Sequence, residues 1–253
     1  MSVEVLPGGV RVLEADAFAD LPGLRAGITV RAADGGGHAG PDDFGLSTGG
    51  PLWSVAERYE ALAAGLGFGS VSVCRQEHGT ELVEAALAPP RGFWIPGTAD
   101  GFAGLAPAGR LFAVTVADCV PVHLVHPASR TLGLLHAGWR GAAAGILGRA
   151  LGLLDDRYGA PAAELRMHLG PAICGDCYEV GPEVPRAFGR QAEGKTTLDV
   201  GAELAREAEA AGVPAGGISR SALCTRCDGA LLHSHRGGGA RAGRMAAWLG
   251  WTA

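Results

Sequence analysis

Short runs of apolar and β-branched residues, each closed by Gly, Pro or His, recur along the chain and predict strands at 10–13, 27–30, 71–75, 82–85, 111–116, 120–125, 131–135, 165–169 and 230–234. Between them the apolar spacing lengthens toward the helical period, predicting helices at 53–66, 141–158, 182–189 and 198–211, with a short one at 243–249. Within 141–158, Ile146, Leu147, Ala150, Leu151 and Leu154 share one stripe and mark the inward face. The pattern predicts an α+β fold, mixed β-sheets covered by helices. No linker, charge block or change of composition interrupts it, so one domain over 1–253 is expected.

Composition supports a folded enzyme-sized unit. A chain of 253 residues that is 47% hydrophobic can build a large core. Nothing resembles a secretory leader, and no apolar run approaches the roughly 20 residues of a membrane span, which predicts a cytoplasmic protein without membrane contact. The formal net charge of -5 is dispersed, which argues against a nucleic-acid surface and for a small-molecule substrate.

The chemistry-bearing residues collect where strands break into turns. Gln76-Glu77-His78-Gly79, Ala117-Asp118-Cys119-Val120-Pro121 and His136-Ala137-Gly138-Trp139-Arg140-Gly141 supply one thiol and two imidazoles at such breaks. One thiolate, two nitrogen ligands and an open fourth position make up a catalytic zinc site. Asp118, beside Cys119, is a candidate carboxylate partner for a ligand histidine. Gln76 lies two residues before His78 on an extended segment and so shares its face. A helix starting at Gly141 would open its amides beside His136 and Arg140, a place for an anion such as phosphate. Trp139 packs at that helix start or stacks on a base. His38, His123, His126, His168, His233 and His235 read first as packed or surface imidazoles, His235 also as an acid or base.

Six cysteines without an export signal favour thiols or metal ligands over disulfides. Cys174-x2-Cys177 and Cys224-x2-Cys227 have the spacing of a closed four-thiolate zinc site. Against it, a predicted helix separates the pairs, and reduced, partly buried thiols are the plainer reading.

Taken in order, Gln76-x-His78-Gly79, Asp100-Gly101, Ala117-Asp118-Cys119-x-Pro121, His136-Ala137-Gly138-Trp139-Arg140-Gly141, Gly170-Pro171-x-Ile173, Tyr178-Glu179-Val180-Gly181, Cys224-Thr225, Ser234-x-Arg236 and Gly243-Arg244-Met245 resemble the YfiH-type family. Its members carry the names laccase-domain protein, polyphenol oxidase, peptidoglycan-editing factor and purine nucleoside phosphorylase. The resemblance implies zinc on His78, Cys119 and His136, which are also the catalytic set. It implies phosphorolysis of adenosine, inosine, guanosine and methylthioadenosine, together with deamination of adenosine. Phosphate would fall to Arg140, Arg236 and Arg58, with Gln76 reaching the same pocket, and the protein would be a monomer or small homo-oligomer. The family's blocks commonly contain the paired cysteines without a second metal.

The chain also departs from the family pattern. Ser234-His235-Arg236-Gly237-Gly238-Gly239 stands where the family usually has Ser-Tyr-Arg-Arg-Asp-Gly, and Gly45-Leu46-Ser47-Thr48 replaces an Asn-Leu-Gly segment. Two other classes stay open. One is a cysteine hydrolase with Cys119 as nucleophile and His136 or His78 as base, acting on cell-wall peptides. The other is a non-enzymatic protein whose paired cysteines hold a structural zinc. A multicopper oxidase is disfavoured, because His233-x-His235 is the only His-x-His pair.

Overall fold

Strands Val120–His126 and Thr131–Ala137 are buried at every position. The cause is visible in the computed structural model, which describes residues 2–32 and 37–253: both faces of their sheet are covered. That sheet has six strands in the order Ile218–Arg220, Arg166–Leu169, Val120–His126, Thr131–Ala137, Gly101–Leu105, Val83–Glu84. A second sheet has seven, in the order Glu4–Val5, Arg11–Glu14, Leu24–Thr29, Met245–Trp251, Arg110–Val116, Ser70–Val73, Gly92–Trp94.

Pleat parity sorts the apolar residues into three layers. Phe112, Val114, Ala247 and Leu249 of the seven-stranded sheet meet Val125, Leu132 and Leu134 of the six-stranded one, forming the core between the sheets. Leu111, Ala113, Ala246 and Trp248 point the other way, onto Val55, Tyr59 and Leu62 of helix Leu52–Gly65. Val122, Leu124 and Leu135 face helices Ile146–Tyr158 and Val200–Ala210. The architecture is helix, sheet, sheet, helix, the mixed sheets covered by helices that the pattern predicts. Among the described residues no helix is long and apolar enough to cross a membrane.

Three expectations are corrected, and one strand is added. The helix at 243–249 is instead a central strand, Met245–Trp251, paired with both Leu24–Thr29 and Arg110–Val116. Its Ala-rich sequence favours helix locally, but burial on both faces and two rows of ladder hydrogen bonds override that preference. The strand at 230–234 is a turn segment, Leu231 and Leu232 both donating their N–H to the Asp228 carbonyl. The helix at 141–158 is broken: Trp139–Ala143 and Ile146–Tyr158 are separate, because Gly145 takes φ +86°, a left-handed conformation no helix continues through. Strand Gly101–Leu105 escapes the pattern because glycine weakens a strand reading. Here Gly101 is required, since a Cβ would sit 2.5 Å from the Leu134 carbonyl oxygen of the neighbouring strand.

Candidate active site

Cys119 occupies the turn between strands Arg110–Val116 and Val120–His126, His136 lies in strand Thr131–Ala137, and His78 follows strand Ser70–Val73. The two sheets thus deliver the three side chains to one place, where one sulfur and two ring nitrogens all lie within 4.8 Å of one another. The His78 and His136 rings stand edge to face, centroids 4.7 Å apart. Two of the turns are held in backbone conformations that side-chain-bearing residues rarely adopt, His78 at φ 61° and Asp118 at φ 99°.

A buried carboxylate, Asp100, organises the ligand set. Its Oδ1 lies 2.8 Å from His136 Nδ1 and accepts the His78 N–H at 2.9 Å, while Oδ2 accepts the Gly79 N–H at 2.7 Å and the Glu77 N–H at 3.2 Å. Burial alone would raise this carboxyl; the His136 hydrogen bond and the amides outweigh it and hold it below the usual range. Fixing Nδ1–H toward Asp100 turns His136 Nε2 toward the other two candidate ligands. Asp118, the expected partner, does something else: its carboxylate accepts from Thr225 Oγ1 at 2.6 Å, Ser234 Oγ at 2.7 Å and the Arg236 N–H at 2.6 Å. Sequence reasoning missed the role of Asp100, although an acidic residue at the mouth of an apolar strand must find partners if it is buried.

Electrostatics favour a thiolate. Burial would raise the Cys119 thiol, but the His136 charge and hydrogen bonds from both histidines bring it down to about 6. His136 is opposed by burial and raised to about 9 by the Cys119 thiolate and Asp100. The space beside these atoms is preserved by Gly138. A Cβ there would lie 2.8 Å from His78 Cδ2 and 3.0 Å from Cys119 Sγ. Soft sulfur with two imidazoles, kept clear of bulk, fits a borderline-soft divalent ion.

The triad lies in a cleft of about 570 Å³, the size of a small-molecule site. Gln76 lines it, its amide spent on Thr115: Nε2 donates to the carbonyl at 2.8 Å and Oε1 accepts the N–H at 2.7 Å. Arg140 reaches in from the rim with its guanidinium 4.5 Å over the Trp139 ring. Arg236 sits 5.0 Å over Tyr178 and donates to the Glu179 carbonyl at 2.7 Å. His235 lines the cleft, as do Arg75 and Arg244, two arginines to which the sequence reading gave no role there.

Arg58 is not among the lining side chains. Its Nη1 donates to Ser54 Oγ at 3.0 Å and its Nη2 to the Gly49 carbonyl, so it supports the 45–49 loop from beneath. The break at Gly145 also leaves only the five-residue helix Trp139–Ala143 beside His136, too short to offer the expected helix dipole. Positive charge on the rim comes instead from guanidinium groups.

His38 and His126 are absent from the cleft lining. His123 and His168 are buried, their rings 5.8 Å apart, and His233 pairs with Asp42 at 3.2 Å. The four paired cysteines are brought together at a separate place, all four sulfurs within 4.8 Å of one another.

This fold has known counterparts. Residues 29–252 match the family model described as multi-copper polyphenol oxidoreductase laccase, and the chain belongs to that family. It is 33% identical to the purine nucleoside phosphorylase YlmD of Geobacillus stearothermophilus over 91% of this chain and 92% of that protein. The YlmD crystal structure superposes with a TM-score of 0.80 at 30% identity, covering 94% of each chain. A protein of an unknown prokaryotic organism named adenosine deaminase RL5 is 36% identical over 54% of this chain and 56% of its own length. YfiH of Bacillus licheniformis, at 24% identity, shares the fold over 99% of both chains with a TM-score of 0.81.

Proposed function

We propose that this protein is a zinc-dependent purine nucleoside phosphorylase with adenosine deaminase activity, working as one catalytic domain over 1–253 in the cytoplasm. Its substrates would be adenosine, inosine, guanosine and methylthioadenosine with inorganic phosphate. The observation that carries the reading is the convergence of His78, Cys119 and His136 within 4.8 Å on a cleft whose rim holds Arg140 and Arg236. The names of the relatives supply the substrate class.

In this reading His78, Cys119 and His136 hold the metal, taken as zinc because one thiolate and two imidazoles with an open fourth position make up a catalytic zinc site. Zinc bound there supplies Lewis acidity at neutral pH for deamination and for orienting phosphate or ribose oxygens. Arg140 and Arg236 bind phosphate oxygens through paired N–H donors. Trp139 and Tyr178, each already carrying a guanidinium on its face, offer apolar surfaces for the purine. The phosphate oxygen attacks the ribose anomeric carbon, the glycosidic bond breaks, and the base leaves with a proton. In this reading His235, exposed on the cleft wall, moves that proton as acid or base. Arg58 acts at one remove, by holding the loop that contributes Ser47 to the wall.

The test is product identification. Protein incubated with adenosine is expected to release adenine and ribose 1-phosphate only when phosphate is present, and inosine without it. Both products should vanish in His136→Ala. Turnover of neither kind would reject the reading.

The Cys119, His136, Asp100 line is also the arrangement of a cysteine hydrolase acting on cell-wall peptides. Two imidazoles against one sulfur favour a ligand set over a single nucleophile and base. Chelator treatment separates the two: a hydrolase keeps its activity without metal and loses it on alkylation of Cys119.

A further inference from the structure

We infer that Cys174, Cys177, Cys224 and Cys227 form a second metal site, a closed tetrathiolate that takes one zinc ion and clamps two loops of the cleft wall together. All four are free thiols, and their sulfurs lie within 4.8 Å of one another, with Cys177 and Cys227 Sγ 3.4 Å apart. Four sulfurs held at about 2.3 Å from a tetrahedral zinc are separated by about 3.8 Å, so the observed cage needs only small side-chain rotations to close on an ion. It is too small for a multi-iron cluster, and thiolates alone exclude magnesium or calcium.

The surrounding backbone is arranged for charged sulfur. Cys224 Sγ accepts the N–H of Cys174 at 3.3 Å and of Cys227 at 3.5 Å, so one amide from each pair points at the same sulfur. Amide donors of this kind stabilise a ligand thiolate. The two pairs come from segments already in register: Ala172 and Cys224 form an isolated parallel bridge, and the Thr225 N–H donates to the Ala172 carbonyl at 3.0 Å. The predicted helix between the pairs in sequence is therefore no obstacle, because tertiary pairing brings the ends together. Four protein ligands leave no open position, which assigns the site a structural role.

That role bears on the cleft without entering its chemistry. Tyr178 follows Cys177 directly, and Thr225, between Cys224 and Cys227, donates to the Asp118 carboxylate that also holds the Arg236 N–H. Cys227 is exposed and Cys177 half-buried while Cys224 is buried, so the cage sits at the edge of the packed interior. One ion there joins the loop carrying Tyr178 to the loop leading to Arg236. The site is independent of His78, Cys119 and His136 and of the reaction proposed for them.

The test counts metal in protein purified under reducing conditions. Wild type is expected to carry two zinc ions per chain, His136→Ala one, and the double variant Cys224→Ser, Cys227→Ser also one. Cobalt-loaded His136→Ala should show the intense sulfur-to-cobalt charge-transfer bands of a tetrathiolate, lost when Cys224→Ser and Cys227→Ser are added to His136→Ala. That spectrum decides the matter even if the cysteine variant fails to fold. His136→Ala without metal, stoichiometric iron in place of zinc, or a Cys177–Cys227 disulfide in unreduced peptides would each overturn the proposal. Failure of nucleoside turnover with one zinc retained in His136→Ala would reject the reaction and leave this site standing.

Discussion

Asp100 Oδ1 stands 2.8 Å from His136 Nδ1, and the same carboxylate accepts the backbone N–H of His78 at 2.9 Å. One buried group therefore orients the ring of one candidate ligand and pins the backbone of another. Asp100→Asn keeps the shape but turns an acceptor into a donor against N–H groups. It is expected to weaken metal affinity about 10- to 100-fold, measured by competition with a chromogenic chelator. Unchanged affinity would limit Asp100 to holding the loop.

Gly138→Ala places a methyl group 2.8 Å from His78 Cδ2 and 3.0 Å from Cys119 Sγ, inside ordinary contact distance of both. The expected outcome is loss of the metal of this site with the secondary structure intact, read by metal analysis alongside circular dichroism. Full metal occupancy would mean that the strand end moves to make room.

Arg140→Ala and Arg236→Ala each remove a guanidinium that lines the cleft. A hydrogen bond to a charged group contributes about 1.5–3 kcal/mol, so phosphate KM should rise about tenfold to a hundredfold in either variant. Arg58→Ala should instead lower thermal stability, since its guanidinium supports Gly49 and Ser54 from outside the cleft. A phosphate KM effect of Arg58→Ala as large as that of Arg140→Ala would return Arg58 to the phosphate site.

Acid sensitivity is expected from two histidines packed near the sheet interface. Burial is the leading cause for both, pushing His123 down to about 3 and His168 to about 4 from an ordinary value of 6.5. Both folded values lie below the unfolded one, so the unfolded chain binds more protons in acid. The stability these groups contribute is complete above pH 6.5 and is lost as pH falls toward 4 and then 3. With both groups engaged, unfolding free energy should fall by about 2.7 kcal/mol per pH unit. His123→Leu, which replaces a fully buried ring with an apolar side chain, should halve that slope in denaturant titrations. An unaltered slope would show that His123 does not titrate on unfolding.

The elements most legible in the chain were those whose two faces differ or whose ends carry turn chemistry. Helix Leu52–Gly65, strand Arg110–Val116 and the inward stripe of Ile146–Tyr158 fall where periodicity puts them. Met245–Trp251 does not, because an Ala-rich run buried on both faces has no alternation to read. The site divides the same way. Cys119, His78 and His136 stand out as thiol and imidazoles at turns, whereas Arg75 and Arg244 carry no local sign that they line the cleft.

The chain by itself determined the donor types, the turns that present them and the strands beneath them, since these follow from side-chain chemistry and short-range periodicity. Which groups gather around the His78, Cys119 and His136 set, and whether the cysteine pairs meet, only the tertiary structure decided. Pairing of strands Gly101–Leu105 and Thr131–Ala137 brings Asp100, rather than Asp118 beside Cys119, to His136, and joining Ala172 to Cys224 closes four distant cysteines into one cage. Such contacts depend on sheet register and layer packing, which are set by the whole core: the Cys-x2-Cys spacings suggest a four-thiolate cage without bringing its halves together, and nothing in the chain's spacing marks Asp100 for His136.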